Sequence, residues 1–274
     1  MRHMVAEKTG IGATGHITQA NHLGFTSLTT DLPLLIIVRR GRKIIRGPGH
    51  EFVVEAGEAI AIAQGQVLDF ENIPAEGGAY EARWMVFDTE IVAAFGETGN
   101  TLGTIGMETV MPARLLGPMR DGFLMAFEQA VAALEDHGDL PEIVVHHRVT
   151  ELLTWLKAGG LCFSPLLPDS FSARIRRLVG RRPGQAWTSA AISSALGVSD
   201  ATLRRRLQHE GCCLRDVLTD IRMTHAMQLL QSSVLPISAI AASSGFESQS
   251  RFAIRFRHRF GFPPSAIRGR AFPG

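Results

Sequence analysis

The chain has 274 residues, of which 45% are hydrophobic and 20% charged, with a formal net charge of +2. Its length favours two globular domains. Because the chain has no long apolar run, neither a membrane-spanning helix nor a secretory signal is expected. Residues 1–170 carry 12 Lys and Arg against 21 Asp and Glu, whereas residues 171–274 carry 16 cations, all Arg, against 5 acids. Only the second part is therefore expected to meet a polyanion, although a solvated basic surface would have the same composition.

Short apolar runs separated by glycine and proline extend from Phe25 to Asp88. Many short strands at regular spacing are typical of a small antiparallel barrel or sandwich. The predicted strands are Leu34–Arg39, Lys43–Arg46, Glu51–Val54, Ala59–Ala63, Val67–Phe70 and Tyr80–Phe87.

Two amphipathic helices are predicted next, over Asp121–His137 and Pro141–Ala158. Each has an apolar stripe at helical spacing, which either packs on its own domain or, for the second helix, forms a dimer seam. The stretch Gly159–Asp169 is rich in glycine and proline and reads as a linker. This divides the chain into an effector-binding or dimerisation domain at 1–165 and a helical domain at 170–272.

A helix-turn-helix pattern lies between Thr188 and His209. Thr188 is the expected cap of a helix ending at Ala195, with Ala191, Ile192 and Leu196 turned inward; Gly197 breaks that helix and Ser199 caps the next. In the second helix Leu203 and Leu207 are predicted to be core. The outward face at i, i+3, i+4 and i+7 is formed by Ala201, Arg204, Arg205 and Gln208.

The same pattern recurs about 49 residues later. Ile237–Ser244 is a short predicted helix, Gly245 turns the chain, and Ser248 caps a helix that runs to about Arg259. Phe252 and Phe256 take the core positions, and the outward face holds Ser250, Ala253, Ile254 and Arg257. A long helix over Leu214–Gln231 separates the two repeats and is expected to set them in successive major grooves of one duplex.

These residues resemble the DNA-binding domain of the AraC/XylS family of transcription regulators. The resemblance covers about Ile175 to Arg270 and is carried by Gly245–Phe252, Phe256-Arg257, Phe260–Pro264 and the central Asp220–Met223. It implies a double helix-turn-helix domain, preceded by a cupin-like effector or dimerisation barrel, in an α+β protein. It also implies promoter DNA and RNA polymerase as partners, and activation rather than repression. A homodimer formed through helices in 121–158 is expected because such a DNA-binding module favours paired subunits. A cytoplasmic location is expected because the chain shows no secretory signal and its cysteines read as reduced thiols.

Carried over by position, the family's base-facing residues fall on both second helices. They are Ala201, Arg204 and Arg205 in the first, and Gln249, Ser250, Arg251 and Ile254 in the second. Ala201 is small and Ile254 stands where many members have Arg, so the first motif is expected to read bases and the second to hold mainly the backbone. Other arginines are read as phosphate-binding or solvated: Arg174, Arg176, Arg177, Arg181, Arg182, Arg206, Arg255 and Arg259.

One basic cluster stands out in the acidic first part, formed by Arg39, Arg40, Arg42, Lys43 and Arg46. Arg42 and Arg46 have the Arg-x-x-x-Arg spacing that resembles the cyclic-di-GMP motif of PilZ-type receptors. Two guanidinium groups at this spacing can clamp phosphates and stack on guanine. Cyclic-di-GMP or another phosphorylated effector is therefore a candidate ligand, and a hairpin with solvated charges is the alternative.

No cofactor, metal or catalytic residue is predicted. His50 lacks a second nearby His, and His146 and His147 point to different helix faces. Cys162, Cys212 and Cys213 show no metal-ligand spacing and read as reduced thiols. The sequence therefore indicates a regulator rather than an enzyme. A DNA-repair enzyme or a cupin enzyme fused to a DNA-binding tail is the alternative.

Overall fold

A computed structural model describes residues 5–47, 49–98, 113–163, 170–180, 182–233 and 235–267. Most of the predicted linker and the predicted phosphate contact of Arg181 lie outside the described residues. The chain divides into two units, Met1–Leu166 and Leu167–Gly274. The first unit contains strands and helices and the second is helical, which confirms the predicted α+β class.

The described residues of the first unit form ten strands: β1 (Ala6–Lys8), β2 (Gly12–Gln19), β3 (Leu23–Thr29), β4 (Leu34–Arg40), β5 (Arg42–Gly47), β6 (His50–Val54), β7 (Glu58–Ile62), β8 (Val67–Ile73), β9 (Tyr80–Phe87) and β10 (Ala113–Pro118). They make two antiparallel sheets. Sheet A has the order β1-β2-β9-β4-β7-β10 and sheet B the order β3-β8-β5-β6, so the sheets are separate rather than closed into one continuous barrel.

The predicted strands all form, with ends shifted by at most three residues, whereas β1, β2, β3 and β10 are not among the predicted strands. In β2, Gly and Thr interrupt the apolar alternation, so the pattern is weak. The strand nevertheless pairs with β9 from Gly12↔Phe87 to Gln19↔Tyr80. A Cβ at Gly15 would lie 2.7 Å from the Trp84 indole, so a glycine allows this close packing.

In its described part the first unit also contains the helices α1 (Thr89–Thr98), α2 (Asp121–Glu135) and α3 (Glu142–Ala158). The predicted stripes of α2 and α3 are buried in one core with Leu35, Ile37, Met85 and Phe87 of sheet A. Alternation along a strand puts Tyr80, Ala82 and Trp84 on the opposite face of that sheet. Helices therefore cover one face of sheet A, and the other faces sheet B.

The described residues of the second unit form six helices: α4 (Phe171–Gly180), α5 (Ser189–Ala195), α6 (Asp200–His209), α7 (Leu214–Ser232), α8 (Ile237–Ser243) and α9 (Gln249–Phe260). A 3₁₀ turn at Pro264–Ala266 follows. All five helices predicted here form within about two residues of their predicted ends. At 1.5 Å per residue, α7 is about 28 Å long, which makes it a stiff spacer between the pairs α5–α6 and α8–α9.

Candidate nucleic-acid interface

The first helix pair, α5–α6, is built by side-chain caps and a glycine turn. The Thr188 and Ser199 hydroxyls accept the backbone N–H groups of Ala191 and Thr202, respectively. Gly197 has a φ of 64°, a conformation that favours glycine. Leu203 and Leu207 are buried as predicted. The prediction that Ala191 points inward is wrong: Ala191 is exposed, and Ser193 takes the buried position.

The outward face of α6 is free for a ligand. Ala201, Arg204, Arg205 and Gln208 are all exposed. The side chain of Arg204 is 77% exposed and pairs with Asp200 at 3.0 Å. Such a surface pair is weak, so DNA can replace Asp200 as the partner at small cost. Arg206 differs from its neighbours because its guanidinium lies over the Phe171 ring, 5.1 Å from the centroid.

The second pair, α8–α9, repeats this construction. Gly245 turns the chain with a φ of 77°, and the Ser248 hydroxyl accepts the Arg251 N–H. Phe252 and Phe256 are fully buried, as predicted. Gly261 ends α9 with a φ of 83°. The residues carried over from the family resemblance, Gln249, Ser250, Arg251 and Ile254, are all exposed. Of the other two residues predicted on the outward face, Arg257 is exposed and Ala253 is half-buried.

A basic groove of about 870 Å³ lies between the two second helices. Arg204 and Gln208 of α6 line it on one side, and Arg251 and Arg255 of α9 on the other. α7 adds Arg215 and Arg222, above a floor that includes Leu203, Leu207 and Phe246. The two helices therefore present cations to one shared concave surface. From the sequence, Arg255 is expected only to bind phosphate or to be solvated, although its i, i+4 spacing from Arg251 places both on one stripe.

Arg176 and Arg259 do not have the solvated or phosphate-binding position predicted for them. The Asp220 carboxylate in α7 accepts hydrogen bonds from Arg176 of α4 at 2.7 Å and from Arg259 of α9 at 3.0 Å. The three side chains are only 18–22% exposed. Asp220 therefore ties α4 and α9 to the spacer helix.

Arg222 also has a structural role, although it lines the groove. Its guanidinium donates to the carbonyl oxygens of Pro183 at 3.3 Å and Gln185 at 3.1 Å. A Cβ at Gly245 would lie 3.0 Å from its Nε. Burial lowers the pKa of Arg222, but the group remains charged at neutral pH. This contact joins the loop before α5 to the turn of the second motif.

Glu210, directly after α6, caps α4. Its carboxylate accepts the backbone N–H groups of Phe171 and Ser172, at the positive end of that helix. Burial tends to raise the pKa of Glu210, but the bonds from Ser172 and Phe171 outweigh it and lower the pKa. The start of α4 is thereby fastened to the end of α6.

The basic cluster of the first unit is neutralised by carboxylates. Arg39 pairs with Glu128, Arg40 with Glu81 at 4.0 Å, Arg42 with Glu55 at 3.8 Å, and Arg46 with Glu51 and Glu71, both at 2.6 Å. The hydrogen bonds that Arg46 donates to Glu71 and Glu51 raise the pKa of Arg46. A phosphorylated ligand here must displace these carboxylates. Lys43 is separate from the cluster because its side chain points between the sheets, where only 4% of it is exposed.

Among the residues that the structure describes, no three His, Cys, Asp or Glu side chains gather as a metal site would require. The same residues contain no helix with the length and apolar character needed to cross a bilayer.

Comparison with known proteins identifies the second unit. A family profile described as a helix-turn-helix domain matches residues 192–270. The chain is 31% identical over 129 residues to the transcriptional regulator YdeO of Escherichia coli K12, covering 44% of this chain and 51% of YdeO. It is 35% identical over 95 residues to the virulence regulon activator VirF of Shigella flexneri, covering 35% and 36% of the two chains. The second unit is a helix-turn-helix domain of the AraC/XylS type.

The AraC/XylS-type domain is the better matched part of the chain. The matches to YdeO and VirF span about half and about a third of those proteins. Over the whole chain, the fold is similar to that of an apo ToxT variant from Vibrio cholerae, with a TM-score of 0.66 and 15% identity over 94% of this chain and 97% of that one. At this identity the likeness shows the fold alone: a strand-rich unit followed by a helical unit.

Proposed function

We propose that the protein is a cytoplasmic transcription regulator that binds promoter DNA through α6 and α9 and is not an enzyme. The observation that carries this proposal is the shared basic groove, to which the two capped helices contribute Arg204, Gln208, Arg251 and Arg255. Arginine forks bind phosphate and the edge of guanine, and a side-chain amide binds adenine. The relatives YdeO and VirF are transcription regulators by name. Contact with RNA polymerase and activation of transcription are parts of the same proposal.

Two α6 arginines are proposed to read bases directly. We expect Arg204→Ala or Arg205→Ala to weaken binding to the specific site by about 1–3 kcal/mol, with a smaller loss on random DNA. The measurement is a fluorescence-anisotropy titration of the full chain with DNA from its own upstream region, identified by footprinting. Equal losses on both DNAs would contradict base reading.

Arg206→Ala is the matched control for this experiment. It removes the same charge from the same helix, but its guanidinium lies over Phe171 rather than on the outward face. We expect it to leave the preference for the specific site unchanged. Affinity should also fall steeply with salt, because arginine contacts to phosphates release condensed counterions. A wild-type chain that binds its upstream DNA no more tightly than random DNA would overturn the proposed function.

We further propose that two copies pair through α2 and α3. The two helices bury their predicted stripes but still expose Met125 by 61% and Ile143 by 76%. A contact between two copies along α2 and α3 would bury these two side chains. We expect Ile143→Glu to shift a dimer towards monomer in sedimentation velocity. Val67→Glu, at a 53% exposed apolar position on sheet B, should leave the dimer intact. A wild-type monomer at micromolar concentration would refute the pairing.

The strand-rich unit is proposed to bind a small effector that controls DNA binding. One solved ToxT structure is described as bound to an unsaturated fatty acid, which shows that a protein of this fold holds a small acid. The cluster of Arg39, Arg40, Arg42 and Arg46 stays a candidate site for cyclic-di-GMP, in competition with its carboxylate partners. Calorimetry with this dinucleotide on the wild type and on Arg42→Ala distinguishes that site from others.

A further inference from the structure

The loop between α4 and α5, of which residues 182–188 are described, contacts the second motif directly. The backbone of Gly184 packs on the end of α8: a Cβ at this position would lie 2.4 Å from the carbonyl oxygen of Ser243 and 3.6 Å from that of Ala242. Atoms 2.4 Å apart overlap, so only a residue without a side chain fits here. Thr188 follows in the same loop and caps α5. The loop therefore joins the start of the first motif to the end of α8.

Glycine is needed at position 184 because of this contact and not because of the backbone conformation. Gly184 is not among the glycines with a positive φ, so its conformation does not itself favour glycine. The residue is also exposed, so a lack of space inside the core does not select it. The close approach to the Ser243 carbonyl is therefore the feature that calls for glycine.

Arg222 of α7 reinforces the contact between the loop and the second motif. Its guanidinium donates to the carbonyl oxygens of Pro183 at 3.3 Å and Gln185 at 3.1 Å, the two chain neighbours of Gly184. The same group lies against the turn of the second motif, where a Cβ at Gly245 would be 3.0 Å from its Nε. The loop is thus held at three successive residues.

This linkage and that of Asp220 lie on different sides of α7. Asp220 accepts hydrogen bonds from α4 and α9, and Arg222 follows two residues later, about 200° around a helix of 3.6 residues per turn. A single spacer helix fixes the separation of two motifs along its axis better than their rotation about it. Contacts on opposite sides of that axis oppose such a rotation.

We propose that Gly184 fixes the orientation of α9 relative to α6, so that the domain accepts one spacing between the two half-sites of its DNA. Gly184 is a positioning residue: it touches α8 rather than DNA, and it acts on binding through the placement of α9. The proposal rests on the proposed DNA-binding function and adds to it the selectivity for half-site spacing.

A series of duplexes with altered spacing tests the proposal. Footprinting of the full chain on its upstream DNA marks the protected half-sites, and one base pair is inserted or deleted between them. Each base pair changes the separation of the half-sites by about 3.4 Å and their relative rotation by about 35°. Loss of a bidentate base contact weakens binding about tenfold. We therefore expect the wild type to bind the natural spacing about tenfold more tightly than either altered duplex in fluorescence-anisotropy titrations.

Gly184→Ala should reduce this preference to less than about threefold. The added methyl group cannot stay 2.4 Å from the Ser243 carbonyl oxygen, so the loop and α8 must separate, and α9 is then placed less precisely. Binding to the natural spacing should weaken most, while binding to the altered duplexes should change little.

Gly180→Ala is the matched control. Gly180 is the last residue of α4, and a Cβ there would lie in open space, so this variant should keep the wild-type preference. Arg222→Lys is a second test, which serves also if Gly184→Ala does not fold. It keeps the positive charge but replaces the guanidinium fork that reaches two loop carbonyls, so it should also lose the preference. Circular dichroism and thermal unfolding establish which variants are folded.

The outcomes decide the proposal. If Gly184→Ala or Arg222→Lys is folded and keeps the wild-type spacing preference, the proposal is wrong. An equal loss of preference in Gly180→Ala would overturn it, as would a wild type that binds its upstream DNA specifically but tolerates every spacing. A wild type that binds its upstream DNA no more tightly than random DNA overturns the proposed function, and this inference falls with it.

Discussion

Asp220→Asn is expected to lower the free energy of unfolding of the AraC/XylS-type domain by about 2–3 kcal/mol. Removing one partner of a buried ion pair costs about 3–5 kcal/mol, and partial exposure of this cluster reduces that figure. The asparagine keeps the shape of the side chain but leaves Arg176 and Arg259 facing each other without the shared carboxylate. Urea denaturation of the full chain measures the loss.

Asp216→Asn is the control for this substitution. Asp216 lies one turn earlier on α7 and is exposed, so its replacement should cost less than about 1 kcal/mol through the helix dipole. Because Arg259 belongs to α9, Asp220→Asn should also weaken binding to a site that engages both reading helices. If the two asparagine variants unfold at the same urea concentration, Asp220 does not hold the domain together.

The second large effect is a dependence of stability on pH that originates at Lys43. Burial lowers the pKa of Lys43 to about 7 in the folded protein, against about 10.4 in an unfolded chain. Between these values the unfolded form binds more protons, so stability rises with pH. The free energy of unfolding is expected to rise by about 2 kcal/mol between pH 7 and pH 9.

Lys43→Met should remove this gain, because methionine does not titrate. At pH 7 the free energy of unfolding of the variant should be at least as large as that of the wild type. The difference between variant and wild type should decrease by about 2 kcal/mol from pH 7 to pH 9. Burial raises the pKa of Tyr80, so that hydroxyl stays neutral in this window. Urea midpoints at four pH values, compared between wild type and variant, isolate the lysine. Parallel profiles would mean that Lys43 carries no buried charge.

The local parts of the fold could be predicted from the sequence, because local chemistry determines them. Thr188, Ser199 and Ser248 cap helices as their residue types suggest. The bounds of Tyr80–Phe87 are predicted to the residue. The closed barrel is not observed, since periodicity identifies strands but not how a sheet ends. The outward face of α6 is exposed as predicted, and that of α9 is exposed except at the half-buried Ala253. The contacts of both faces with DNA remain a prediction.

Contacts between distant parts of the chain were not predictable in this way. Asp220 joins residues 44 and 39 positions away, and no local pattern marks such a partner. Lys43 is different, because a signal was available: it lies two residues from Ile45 on one strand, which places both on the same face. The neighbouring arginines made it look like part of a solvated patch.

Helix α4 is bonded both to the end of α6 and, through α7, to α9, and this limits how it can move. Glu210 holds the first turn of α4 to the end of α6, and Arg176 links the body of α4 through Asp220 to Arg259 of α9. A rotation of α4 must carry both second helices with it or break a charge-assisted bond. A displacement of α4 is therefore expected to change the orientation of α6 and α9 together, and with it the fit of both helices to DNA.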